Sequence, residues 1–409
     1  MTLTWLGITV VLCLVSLAYG VVEKTIYAFA TPGSGDGMFP YSRLVFDANG
    51  NCYGTTQLGG PYNSGIIFEL SPDIHGVVTE KVLYEFTGQI DGGTPYAGLV
   101  FDKSGNLYGA GAYGGANGSG VIFELAPQAG RWNHKVIYNF GNAQSGDGFG
   151  PNSRLVFDKQ GNLFGTTLEG GPAGCFQGCG IVFELSPNGD GSWREQVLHT
   201  FLNDGIDGAL PSGGVTFDGN GNLYGTTQNG GTSGSGVLYQ LRYSPSENQW
   251  IETILHQFLV GSADGAFPES EVLIHRGHLF GTTEGGGTYG YGTVFETVYS
   301  AKSGWETNVI HSFGESPNDG HGSQAAVTMD NNGTLYGVTS FGGAYGDNGT
   351  AFRMDRLPGG TWTETVLHSF NGADGSEPRA ALAIHGGWLY GTSPGGGNDS
   401  GLVYQVRTH

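Results

Sequence analysis

The chain has 409 residues, 77 of them glycine, with 13% charged and 12% aromatic residues and a formal net charge of −20. Glycine far above the usual ~7%, charge at about half the usual ~25% and regular aromatic-aliphatic runs describe a packed β protein full of tight turns, not a disordered chain. The acidic balance repels phosphate backbones and anionic bilayers, which excludes nucleic acid as an expected partner.

In chain order, the first feature is an apolar run from Leu3 to Leu17 followed by Ala18-Tyr19-Gly20, with the small residues at −3 and −1 that a signal peptidase requires. Residues 1–20 are read as a secretory signal, although no Lys or Arg precedes the run and Cys13 lies inside it. The large Leu12 argues against a lipoprotein cysteine, and the run is shorter than the ~20 residues of a retained anchor. Residues 21–409 then form the mature chain, expected to be secreted or on the cell surface, without membrane insertion and as a monomer.

That mature chain is an array. A glycine following an aromatic residue recurs at Gly54, Gly109, Gly165, Gly225, Gly281, Gly337 and Gly391, at steps of 55, 56, 60, 56, 56 and 54 residues. A period of this size means a solenoid, a propeller or a bead array. In the second repeat Lys81 to Phe86 is a β-rich run, Asp91-Gly92 and Pro95 break it, and Gly98 to Asp102 starts another. The turn Asp102-Lys103-Ser104-Gly105 leads back through Asn106-Leu107-Tyr108-Gly109, and a glycine-rich loop precedes Gly120 to Leu125. No stretch carries a sustained 3.6-residue apolar period, so no helix is expected in the mature chain.

Four short antiparallel strands per repeat, seven times over, predict an all-β, seven-bladed β-propeller read as one domain of residues 21–409, with a β-solenoid as the alternative. Strands such as Ile181-Val182-Phe183 are apolar without alternation, as expected where both faces of a sheet are covered. The chain begins on an outermost strand, Thr25 to Phe29, and ends on a third strand, Leu402 to Val406. Each end lacks what the other supplies, so the N-terminal strand is expected to complete the last blade and close the ring.

The pattern G-N-L-Y-G-T-T, then G-G, then G-x-V-F-E-L, clearest at Asn222 to Thr227 and Gly180 to Leu185, resembles the bacterial GloVer (Gloeo-Verruco) tandem repeat. Departures are Ala110-Gly111 for the two threonines, Val338 for the first of them, and Thr350-Ala351-Phe352-Arg353 in the sixth third-strand. The resemblance implies an exported repeat protein with no established common activity.

Chemistry is sparse. An Asp-Gly pair precedes each innermost strand, at Asp36, Asp91, Asp147, Asp207, Asp264, Asp319 and Asp374. These aspartates are expected to cap their own turns; the alternative is a ring of rim carboxylates for a cation or basic partner. His199, His256, His311 and His368 occupy the outer-strand position held elsewhere by Tyr27, Tyr84 and Tyr138, each on a different blade, so a metal shared among them is not expected. No metal and no cofactor is predicted. Cys175 and Cys179 are expected to form a local disulfide, free surface thiols being the alternative, and Cys52 replaces a core leucine.

Where innermost strands converge, the equivalent positions read Arg43, Gly98, Arg154, Gly214, Glu271, Ala326 and Ala381. Two arginines and a glutamate among small residues could grip a carboxylate-bearing ligand; the plainer reading pairs Arg43 or Arg154 with a neighbouring rim aspartate. Arg43, Arg154 and Glu271 are the only catalytic candidates, and no hydrolase, metalloprotease, P-loop or dinucleotide fingerprint is present. The leading expectation is a non-catalytic module binding an extracellular glycan or surface protein through its loop-rich rim, with Gln57, Tyr62, Gln228 and Tyr289 as rim contacts. A polysaccharide-acting hydrolase or lyase and a structural surface protein are the alternatives.

Overall fold

A computed structural model describes residues 23–141, 146–171, 175–261 and 263–408; the expected signal segment 1–20 lies outside them. The chain folds as a seven-bladed β-propeller. Blade 1 has the strands Val45–Phe46, Cys52–Thr56, Ile66–Pro72 and Val78–Glu85, hydrogen-bonded in that order from the axis outward. Blades 2 to 6 repeat it, for example as Thr216–Phe217, Leu223–Thr227, Val237–Ser244 and Gln249–Gln257 in blade 4. Blade 7 takes Ala383–His385, Trp388–Ser393 and Leu402–Arg407 from the end of the chain and Glu23–Ala28 from its start.

The closing pair is antiparallel, with Glu23 opposite Val406, Thr25 opposite Tyr404 and Ala28 opposite Leu402. It gives both terminal strands a partner and covers the edge that Leu402–Arg407 would otherwise expose.

The recurring glycine has a packing reason. Gly54 faces Phe68 across the middle strand pair, and a Cβ placed on it would lie 2.6 Å from the tip of the Phe68 ring and 2.9 Å from Leu44. The same collision arises between Gly225 and Tyr239 at 2.5 Å and between Gly391 and Tyr404 at 2.3 Å. The glycine vacates the space that the aromatic residue of the third strand fills. That ring in turn meets, edge on, the phenylalanine ending the previous blade's outer strand: Phe29 on Phe68 at 5.2 Å, Phe201 on Tyr239 at 5.2 Å, Phe370 on Tyr404 at 4.8 Å. Glycine, third-strand aromatic and terminal phenylalanine form one unit of the core, repeated at each joint between blades.

The first threonine after that glycine ties neighbouring blades. Thr55 Oγ1 donates to the carbonyls of Pro95 and Ala97, Thr166 to Pro211 and Gly213, and Thr282 to Ala325. Ala110 and Val338 replace it in blades 2 and 6 with buried apolar side chains.

Candidate functional site

Each innermost strand is entered through an Asp-Gly segment and is followed, one strand later, by the Gly-Gly loop. The two pair on the same rim: Gly208–Ala209 with Asn229–Gly230, and Gly37–Met38 with Leu58–Gly59. A Cβ on Gly230, whose φ is +92°, would sit 2.5 Å from the Asp207 carbonyl oxygen. The glycine pairs are thus accounted for by this collar.

The aspartates hold the collar together. Asp207 accepts from Gly208 N at 2.6 Å and Leu202 N at 2.8 Å, Asp36 from Gly37 N at 2.6 Å and Ala30 N at 2.8 Å, and Asp147 from Gly148 N at 2.6 Å. Asp91, Asp264, Asp319 and Asp374 likewise accept loop amides. Tyr27, Tyr84 and Tyr138 hydroxyls donate to Asp36, Asp91 and Asp147, while His199, His256, His311 and His368 lie 2.9 to 3.5 Å from Asp207, Asp264, Asp319 and Asp374.

The next blade adds a glutamate at several of these joints, giving His199/Asp207/Glu252, His311/Asp319/Glu364 and His368/Asp374/Glu23, each with ligand atoms within 4.8 Å. The histidines are therefore apart from one another but not alone. Two observations describe how these clusters serve as joints between blades. Both Asp207 oxygens accept backbone amides, as one oxygen of Asp374 does, and Tyr27 with Asp36 and Glu80, or Tyr138 with Asp147 and Glu195, repeat the arrangement without an imidazole. Burial first, and then the neighbouring aspartate, push the Glu23, Glu80, Glu195 and Glu364 carboxyls up to about 7; burial does the same to Glu252 against the opposing pull of His199.

Inside the collar, strand alternation arranges the inward side chains in two storeys. In Pro40-Tyr41-Ser42-Arg43-Leu44, Ser42 and Leu44 turn into the blade, with Ser42 Oγ accepting from Thr55 N at 2.9 Å, while Tyr41 and Arg43 face the axis. The lower storey is the set with Arg43, Arg154 and Glu271, around a space of about 120 Å³. The upper storey is Tyr41, Tyr96, Asn152 and Ser212 on blades 1 to 4, then Glu269, Gln324 and Arg379 on blades 5 to 7. It opens into a funnel of about 490 Å³ that also takes in Gln57, Tyr113, Phe149 and Glu169.

The funnel is lopsided. Blades 1 to 3 present an arc of rings: Tyr41 and Tyr96 have centroids 5.8 Å apart, Tyr113 and Phe149 6.3 Å, and Gln57 Nε2 donates to the Tyr96 hydroxyl. Tyr113 is 52% exposed. Blades 5 to 7 present polar groups. Gln228 Nε2 donates to Glu269, Gln324 Nε2 donates to Glu284 at 3.2 Å, and Arg379 pairs with Glu377 at 2.6 Å with its guanidinium 5.9 Å from the Tyr41 ring. Burial, followed by the Glu284 carboxylate, raises the Glu269 carboxyl to about 7.

Of the rim residues proposed from sequence, Gln57 lines the funnel and Gln228 reaches it through Glu269, whereas Tyr62 and Tyr289 stand exposed outside it. Neither arginine pairs with a rim aspartate as the plainer reading had it. Arg154 lies 3.5 Å from Glu271, reaching past blade 4 where Gly214 leaves the wall bare, and Arg43 donates to Thr328 Oγ1 at 3.4 Å. The upper storey was missed. Its signal is in the sequence: the residue after each Pro, or after Ser323, is the variable one, and it lies two residues before the Arg43 set, hence on the same strand face. Cys175 and Cys179 are joined, with Cα atoms 5.1 Å apart, and Cys52 is buried, its thiol pushed up to about 12 by burial.

A groove of about 600 Å³ on the opposite rim, between blades 3 and 4, is the weaker candidate. Asp158 and Asn162 there are committed to the hairpin turn, and Phe164 and Trp250 pack between the blades.

Solved structures share the fold at low identity. The chain superposes with a TM-score of 0.54 and 12% identity on the extracellular domain of a one-component system from B. thetaiotaomicron, covering 94% of this chain and 40% of that one. An ancestral GH74 enzyme gives 0.59 and 9%, covering 94% and 51%. A PL25 ulvan lyase bound to -[GlcA(1-4)Rha3S]- gives 0.52 and 10%, covering 94% and 96%. The chain thus spans about half or less of the first two. No curated protein matches the sequence, and among the described residues no helix is long and apolar enough to cross a membrane. The Gloeobacter/Verrucomicrobia repeat model matches residues 14–193 and 172–404, and the chain belongs to that repeat family.

Proposed function

We propose that this chain is an exported propeller that binds a glycan in the funnel of the Asp-Gly rim. One observation carries the reading: an arc of four aromatic rings faces amides, carboxyls and a guanidinium across one mouth. Pyranose rings carry apolar C–H faces and a girdle of hydroxyls, and this mouth offers flat apolar surface for the first and hydrogen-bonding groups for the second. The leader-like residues 1–20 support export. Propellers described as a GH74 enzyme and as a lyase bound to an acidic glycan are consistent with a fold able to present such a site.

The test is a glycan array followed by calorimetry with the purified protein. Tyr96→Ala and Tyr113→Ala should each weaken binding about fivefold or more, since a stacking aromatic contributes roughly 1–3 kcal/mol, with unchanged melting temperature. Lys103→Ala and Lys159→Ala, on the opposite rim, should have no effect. Binding that survives both tyrosine substitutions but not the lysine pair places the site elsewhere.

A second reading, a polysaccharide-acting hydrolase or lyase, draws on the Glu269 carboxyl near 7 beside Glu284, a value suited to general acid or base work. Turnover of a bound glycan that is lost in Glu269→Gln would favour it; saturable binding without turnover favours the module.

A further inference from the structure

The lower storey of the channel carries a charge that its walls do not balance. Arg43 and Arg154 enter it with Glu271 as the single carboxylate of that ring. Glu271 lies 3.5 Å from Arg154. No carboxylate comes within 4.0 Å of the Arg43 guanidinium among the described residues, and its described side-chain hydrogen bond is the long one to Thr328. Gly98, Gly214, Ala326 and Ala381, which complete the ring, have no side-chain acceptor to offer. A guanidinium has five N–H donors in a fixed fork, and an enclosed, unbalanced charge is costly unless something pairs with it. The space beside it opens upward into the funnel, because Tyr41, Tyr96, Glu269 and Arg379 border both.

We infer that Arg43 receives the carboxylate of a uronic acid residue whose sugar ring lies in the funnel, so that the glycan recognised is an acidic one. The inference rests on the glycan reading of the funnel. Two arginines and one glutamate leave one positive charge, which one carboxylate neutralises. The planar two-oxygen group matches the guanidinium fork, and a space of about 120 Å³ admits a carboxylate while leaving the pyranose above it. The overall charge of −20 repels acidic polymers at long range, so the contact has to be local and enclosed, where salt screens it little.

The experiment compares hexasaccharides of polygalacturonate, polymannuronate and glucuronan with their carboxyl-reduced, neutral counterparts by calorimetry in about 0.15 M salt. The expected result is binding at least tenfold tighter for an acidic member than for its reduced form. Arg43→Gln should abolish that preference while keeping affinity for the neutral form, and Arg43→Lys, which keeps the charge but loses the fork, should retain part of it. Glu271→Gln frees Arg154 and should strengthen acid binding, an effect that a purely structural role for these residues would not produce. Equal binding of acidic and reduced forms by the unmodified protein overturns the inference while leaving the glycan reading intact, and needs no variant to fold. Equal binding of a sulfated, carboxyl-free carrageenan hexasaccharide overturns the carboxylate assignment. Failure of every acidic and neutral form to bind overturns the glycan reading itself.

Discussion

Thr392 Oγ1 donates to the carbonyl of Ser42, 3.1 Å away and 350 residues distant in sequence. It is the same tie that Thr55 makes to blade 2 and Thr166 to blade 4, here joining the last blade to the first. The seam is thus built like the other joints, and its strength depends on the N-terminal strand that completes blade 7. Deleting residues 21–30 removes that strand and Phe29, exposes the edge of Leu402–Arg407, and should give aggregation or a large loss of stability. Thr392→Val, which strands a buried carbonyl, should cost about 1–3 kcal/mol. Denaturant titration reads both, and a truncation that melts like the parent refutes closure by this strand.

Glycine content divides into two kinds that substitution separates. Gly225→Ala drives a methyl into the Tyr239 ring and should destabilise by about 1–3 kcal/mol. Gly219, in a hairpin turn with open space around its Cβ position, should accept alanine within about 0.5 kcal/mol. Equal costs at the two sites would show that the repeated glycine serves the backbone and not the ring.

The division between what was legible in the sequence and what was not follows from the same repetition. Gly54 and its six counterparts recur because each joint must solve one packing problem, so the period exposes blade number, strand order and the half-blades at each end. The funnel is built from what does not repeat. Tyr41, Tyr96 and Tyr113 come together only where blade 1 meets blade 2, and seeing them as one surface requires strand alternation applied across blades. Partners that cross a joint were hidden for a related reason: Glu252 meets His199 from the next outer strand, and Arg154 finds Glu271 two blades on because Gly214 between them has no side chain.

Stability should fall as pH rises through neutrality. The Glu23, Glu80, Glu195, Glu252 and Glu364 carboxyls sit near 7 in the folded chain against 4.5 when solvated, so the native state holds protons that the unfolded state releases between those values. His199, also raised, acts in the same direction, while His134, lowered to about 4 by burial, and His368, also lowered, act in the opposite one. Below 3.8 the capping carboxylates Asp47, Asp91 and Asp218, held low by hydrogen bonds that outweigh their burial, begin to protonate and stability is lost again. The melting temperature should therefore peak at about pH 4, decline between about pH 4.5 and 7 and level off toward pH 8, and Glu80→Gln should flatten the decline and raise the value at pH 8. A melting temperature that rises from pH 5 to 8 excludes protonated glutamates at the joints.

The three described cysteines should separate cleanly by reactivity. Cys175 and Cys179 are bonded in the collar, and Cys52 is buried with its thiol raised to about 12, where thiolate is scarce. Alkylation of native protein should label none of them, and reduction before labelling should add two labels in the peptide containing Phe176. Labels on both cysteines of that peptide without reduction would contradict the bonded pair.

Asp207 tests whether the rim carboxylates are structural. Its Oδ1 accepts from Gly208 N and its Oδ2 from Leu202 N, so each oxygen faces a backbone donor. Asp207→Ala leaves both amides without a partner and should cost about 1–3 kcal/mol for each group left unsatisfied, less whatever water recovers at the rim. Asp207→Asn is the more informative change, because it keeps the volume but sets an NH₂ against one of the two N–H groups. Asparagine should therefore rescue little of the loss, and glycan binding in the funnel should persist in whatever fraction stays folded. An asparagine variant as stable as the parent would mean that shape, not the pair of accepting oxygens, is what the collar requires; loss of binding without loss of stability would make the aspartate a ligand contact.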